Sequence, residues 1–116
     1  MQRGALIGPN GVVADHVTWC LTLRERLQGV LGRPPLEPDE AYVITDSKRV
    51  HTRGVPYPLD CVFCDRDWRV LHVETLQPMS RSAHVAGSLN VIELLGGRAA
   101  ENAIAPGTRL SFGKTR

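Results

Sequence analysis

The stretch from Arg49 to Glu74, RVHTRGVPYPLDCVFCDRDWRVLHVE, carries the longest strand-like pattern of apolar and polar positions in the chain. Leu59 to Cys64 is apolar on both faces apart from Asp60, and Asp65-Arg66-Asp67 supplies a turn. Trp68 to Thr75 then returns, with Val70, His72 and Glu74 alternating against Leu71, Val73 and Thr75. That period of two predicts a β-hairpin.

On the N-terminal side, Ala5 to Gly8 and Val12-Val13 flank Pro9-Asn10-Gly11, and Asn-Gly between apolar runs signals a second hairpin. Val17 to Leu21 is rich in strand formers. Thr22 stands three residues before Glu25, the spacing at which hydroxyl and carboxylate cap a helix reciprocally. Leu23, Leu27, Val30 and Leu31 recur at helical spacing, which predicts a helix over 23–31 that needs tertiary packing for its stability. Gly32 is its expected C-terminal cap, and Pro34-Pro35 forbids continuation. Ala41–Thr45, Val50–Thr52, Leu89–Leu95 and Thr108–Phe112 read as extended, and Arg98–Ile104 as a short helix or turn. Gly113–Arg116 is expected to fray. Short strands with one or two short helices predict a mainly β fold, α+β at its margin: a small antiparallel β-barrel or sandwich. The strand–helix–strand alternation of a parallel sheet is not evident.

Composition narrows the function classes. At 116 residues, 42% of them hydrophobic and 22% charged, the chain suits one globular domain over residues 1–116. The net charge is +2, and 14 cationic residues are scattered among 12 acidic ones without a basic run. With two residues each of Trp, Tyr and Phe there is little to build a base-stacking platform, so nucleic acid is disfavoured as a partner. No stretch approaches the roughly 20 apolar residues that span a bilayer. The start, MQRGALIGPNG, lacks the apolar core of a secretory signal, so a cytoplasmic location without membrane insertion is expected. There the three cysteines remain thiols.

Four segments, taken in order, carry a family resemblance: VLGR (Val30–Arg33), VHTRGVPYPLDCVFCD (Val50–Asp65), VIELLGGRA (Val91–Ala99) and PGTRLSF (Pro106–Phe112). Over about Thr18 to Phe112 the chain resembles the bacterial and archaeal proteins of domain of unknown function 192. The resemblance implies a small jelly-roll-like β-sandwich or barrel with a helix against it, and no established reaction, substrate or cofactor. Three features depart from that family. Arg53 and Val55 flank Gly54 where an aromatic and a Met are commoner, Cys61 and Cys64 replace aliphatics, and Thr108 stands where Asp is usual.

Asp60 is the most informative candidate. It shares a strand face with Val62 and Cys64, and an ionised group buried there needs a cation or several N–H donors. Arg33, Arg53 and His51 are the nearest in motif terms. Two readings follow. One is a ligand pocket lined by Arg33, His51, Thr52, Arg53, Asp60 and Glu93. The other, preferred, is a buried carboxylate that pins the 50–58 loop. Glu93 alternates with Ile92 and Leu94, so it is either surface or the far wall of that pocket. Cys61 and Cys64 would form a metal-binding pair on a knuckle, but on a strand they project to opposite faces and read as small buried hydrophobes. No metal or cofactor is expected. No nucleophile elbow accompanies His51. The expectation is a non-catalytic β-domain that binds a small molecule or a protein partner near the His51/Asp60 loop. The alternative is a hydrolase- or lyase-like enzyme using His51, Asp60 and Arg33 on a small polar or carbohydrate-like substrate. Catalysis would require a cleft of about 300 Å³ or more into which both His51 and Asp60 reach.

Overall fold

The computed structural model describes residues 4–113. The elements in chain order are β1 (Ala5–Gly8), β2 (Gly11–Ala14), β3 (His16–Cys20), α1 (Leu23–Gln28), β4 (Glu40–Thr45), β5 (Leu59–Cys64), β6 (Val70–Leu76), β7 (Asn90–Leu95), α2 (Arg98–Glu101) and β8 (Ser111–Gly113). They form a five-stranded sheet in the order β3-β4-β7-β5-β6 and a three-stranded sheet in the order β2-β1-β8. The fold is mainly β and sandwich-like; the two sheets stay separate, so the barrel option falls away. Among the described residues no helix is long and apolar enough to cross a membrane.

Both predicted hairpins form. The β1–β2 pair turns through Pro9-Asn10, with Gly8 opposite Gly11. In the β5–β6 pair Leu59 lies opposite Leu76 and Val62 opposite Val73. The Asp65 carboxylate closes the turn by accepting the N–H groups of Asp67 and Arg69 at 2.8 and 3.0 Å. A bulge between Phe63 and Cys64 sets Cys64 opposite Val70. Strict alternation therefore fails at one place: Val70 joins Val62 and Cys64 in one core, whereas His72 meets Phe63 on the other face at 5.6 Å between ring centroids. A bulge adds one residue to one strand and so switches faces beyond it.

Two further expectations are corrected. β3 and β4 are parallel, His16 beside Glu40 and Cys20 beside Ile44, so β3–α1–β4 is a crossover unit within an otherwise antiparallel sheet. The helix also ends earlier than its apolar spacing suggested. The Thr22–Glu25 capping box is present, but Gly29, at φ 50°, is the C-terminal cap and its N–H donates to Glu25 O at 2.8 Å. Either glycine can take the positive φ at which a helix breaks off, and the first one met does so. Gly113 lies in β8; the rest of the expected frayed end, 114–116, falls outside the described residues.

Both faces of the five-stranded sheet are covered, which explains the near-continuous apolar run of β5. One core lies against the smaller sheet and α2 and includes Leu6, Val17, Val43, Val62, Ile92 and Leu94. The other holds Tyr42, Ile44, Leu59, Phe63 and Val91 beneath Val30, Leu36, Val50 and Val55 from the connecting segments. Cys61 belongs to the second core and Cys64 to the first, as their spacing on a strand requires.

Candidate functional site

Glu93 is the one acid on the second-core face of β7. Strand pairing sets it between Tyr42 of β4 and Cys61 of β5, in the middle of an apolar surface. It is 5% exposed, and its Oε1 is sealed from solvent with no hydrogen-bond partner among the described residues. Loss of water without compensation pushes its carboxyl up to about 7. Among the described residues the other such orphan atom is Trp19 Nε1, enclosed on the opposite face by Trp68 and Phe112.

A cavity of about 290 Å³ lies over Glu93, with Ile44, Leu59, Val50 and Val55 as its buried apolar wall. The end of α1 closes one side. A Cβ on Gly29 would stand 3.4 Å from Glu93 Oε1, so the helix stops where its backbone passes close to the carboxylate. Leu23 and Leu27, expected to pack into a core, line the mouth instead and are 65% and 69% exposed. Nothing in α1 is buried; Val30, just beyond it, turns inward. Arg26, Arg49, His51 and Arg53 stand around the rim together with the exposed Asp46 and with Ser47.

A broader depression of about 530 Å³ adjoins this cavity and shares Arg49, Val50, His51 and Arg53 with it; Met79, Ser80 and Arg81 form its other side. Its floor is two antiparallel segments paired at His51 and Arg81. The Thr52 N–H donates to Ser80 O and the Ser82 N–H to Val50 O, both at 2.8 Å. Thr52 Oγ1 donates to Gln77 O at 2.7 Å and accepts the Ser80 N–H at 2.9 Å.

Of the six residues assigned to a pocket from sequence, His51, Arg53 and Glu93 come together. The other three do other work. Thr52 is fully buried as the bracket just described. Arg33 Nε donates to Gly29 O at 2.9 Å, and its guanidinium lies 5.2 Å from the Tyr42 ring centroid. Asp60 is 1% exposed and accepts Thr75 Oγ1–H at 2.6 Å, Gly97 N–H at 3.0 Å and Ala99 N–H at 2.8 Å. The expected cations are not its partners. It pins the junction of β7 and α2, where Gly97 has no side chain with which to cap the helix, rather than the 50–58 loop. Asp60 and His51 lie on opposite sides of the five-stranded sheet, so the His51–Asp60–Arg33 constellation is not assembled around one cleft.

Sequence reasoning missed Arg26, Arg49 and Arg81. A signal for one of them was present. In Arg49-Val50-His51-Thr52-Arg53 the two arginines and the histidine occupy alternate positions and are exposed, whereas Val50 and Thr52 are buried. The buried thiols offer little chemistry: burial raises Cys20 to about 11 and Cys64 to about 12, and drives Cys61 higher still. Among the described residues one group has metal-ligand spacing, the exposed Asp15, His16 and Asp39, and it is not part of either depression.

Fold and site together define a small two-sheet β-protein with a cationic trough leading to a cavity above one unpaired acid. The chain belongs to the DUF192 family, described as an uncharacterized ACR, whose model matches residues 7–112. It is similar to a solved protein of unknown function from Novosphingobium aromaticivorans DSM 12444, at 23% identity over 95% of this chain and 84% of that one, with a TM-score of 0.78. It is also similar to a proposed transcription regulator from Sinorhizobium meliloti 1021, at 24% identity over 96% of this chain and 92% of that one, with a TM-score of 0.77. These two likenesses concern the fold. No curated protein matches.

Proposed function

We propose that the protein is a non-catalytic ligand-binding β-domain that takes a small molecule into the cavity over Glu93. One observation carries this reading: a buried acid with an orphaned oxygen forms part of a cavity wall rather than of fully packed core. Burying a polar group without a partner is costly, and leucine would fill the same strand position without that cost. A residue that lowers stability where it stands is better accounted for by a bound partner than by the fold.

The reading is tested with Glu93→Leu and Glu93→Gln. Both are expected to raise the melting temperature near neutral pH, and a fall in both would mean that Glu93 holds the fold together. A fragment library screened by amide chemical shifts adds a direct measure. Fragments that enter are expected to move Gly29, Val30 and Cys61 in the natural protein and to lose that effect in Glu93→Leu. A library that leaves these amides unmoved overturns the proposal. A protein partner that inserts one side chain into the same cavity is the second reading, favoured by the exposed Leu23 and Leu27 at its mouth.

A further inference from the structure

Resting on the cavity reading above, we infer that the ligand is a small anion, a carboxylate or phosphate monoester, that also carries a hydroxyl or ammonium group. The anionic end sits on the shelf of Arg49, His51, Arg53 and Arg81, and the hydrogen-bond donor reaches Glu93.

Three features support a built anion site rather than a solvated basic surface. First, the outer depression is lined by three arginines and a histidine with no acid among its lining residues, and no carboxylate lies within ion-pair distance of those arginines among the described residues. Like charges converging in a concavity repel one another, and a bound anion removes that repulsion while accepting the guanidinium N–H groups in pairs. Second, the shelf is rigidly framed. Arg49, His51 and Arg53 alternate along one segment, the His51–Arg81 pairing fixes the second segment against it, and the buried Thr52 ties the two together. Third, the shelf opens into the inner cavity through four shared residues, so one molecule can occupy both.

The inner end selects the rest of the molecule. Once ionised, the Glu93 carboxylate only accepts and is matched by a donor, and the apolar wall of Ile44, Val50, Val55 and Leu59 suits the carbon skeleton between the two ends. A nucleic-acid backbone would offer phosphates to the shelf but brings further negative charge toward Glu93, which disfavours it.

The test compares three probes on the full chain by titration of amide shifts: glycerol 3-phosphate, propyl phosphate and glycerol. Glycerol 3-phosphate is expected to move the amides of His51 and Arg81 together with those around Glu93, and to weaken as ionic strength rises. Propyl phosphate should move the shelf amides alone and bind about tenfold less tightly, the loss of one good hydrogen bond. Glycerol should bind too weakly to detect. Arg49→Gln and Arg81→Gln change exposed side chains, leave the fold intact, and should each weaken glycerol 3-phosphate by about tenfold or more. Unchanged affinity in the double variant overturns the inference, as does a shelf that neither phosphate perturbs. Uncharged fragments entering the cavity while both phosphates fail would sink the inference and spare the function proposed above; no probe or fragment entering sinks both. Binding to an oligonucleotide that is tighter than to any small phosphate, and indifferent to Glu93→Gln, also overturns it.

Discussion

Asp60 and Glu93 are buried acids on neighbouring strands, Asp60 opposite Leu94 and Glu93 opposite Cys61, and the fold treats them in opposite ways. Asp60 receives three donors and Glu93 none. Removing the first should orphan two backbone N–H groups, so Asp60→Ala is expected to cost about 2–4 kcal/mol by urea denaturation. Asp60→Asn keeps an acceptor for those N–H groups and should cost about half as much. Glu93 instead makes stability depend on pH. Its folded-state carboxyl titrates near 7 rather than at the ordinary 4.5, so between these values the folded chain holds a proton that the unfolded chain has released. Stability therefore falls as pH rises through that window, by an amount on the order of 3 kcal/mol, and levels off above it. Denaturation curves across the window should show this decline in the natural protein and a flatter profile in Glu93→Gln.

At the scale of elements, α1 shows what local pattern does and does not specify. Its start was legible because the Thr22–Glu25 pair satisfies backbone donors within the same few residues. Its stop and its facing were not. Two glycines lay three residues apart, and the spacing of Leu23 and Leu27 is the same whether leucines meet a core or line a cavity mouth. Leu23→Ser and Leu27→Ser are accordingly expected to alter stability by no more than about 0.5 kcal/mol each. Gly29→Ala should be more damaging, about 1–3 kcal/mol, because it forces a side chain onto a positive φ beside Glu93 Oε1. Paired denaturation measurements on these variants test both statements. The parallel pairing of β3 with β4 was hidden for a related reason: a short helix followed by a proline-bearing loop does not look like a crossover helix.

For the whole molecule, the mainly β sandwich and the family were legible, since strand alternation and four ordered motifs run through most of the chain. The site was half legible. His51 and Arg53 lie exposed along one alternating segment, whereas the alternation of β7 alone left Glu93 open between surface and pocket wall. Motif order brings Arg33, Thr52 and Asp60 near His51, whereas the fold gives their side chains other partners. A sheet covered on both faces separates such neighbours: Asp60 and Cys61 adjoin in the chain and look into different cores. That architecture also orders stability. β7 lies at the centre of the larger sheet with β4 and β5 on its flanks, so amides of Val91–Leu94 and Leu59–Phe63 should exchange with solvent most slowly, and those of β2 and β8 sooner. Hydrogen-exchange mass spectrometry or NMR measures this; faster exchange in β7 than in β8 would contradict it.

The absence of any buried side chain in α1 reaches beyond the helix itself. Swinging its free flank outward about Gly29 uncovers little oil-like surface and leaves both layers of the sandwich intact. For the ligand proposed above, the upper size admitted would then be set by the tether of a single turn-and-a-half of helix, with every strand left unchanged.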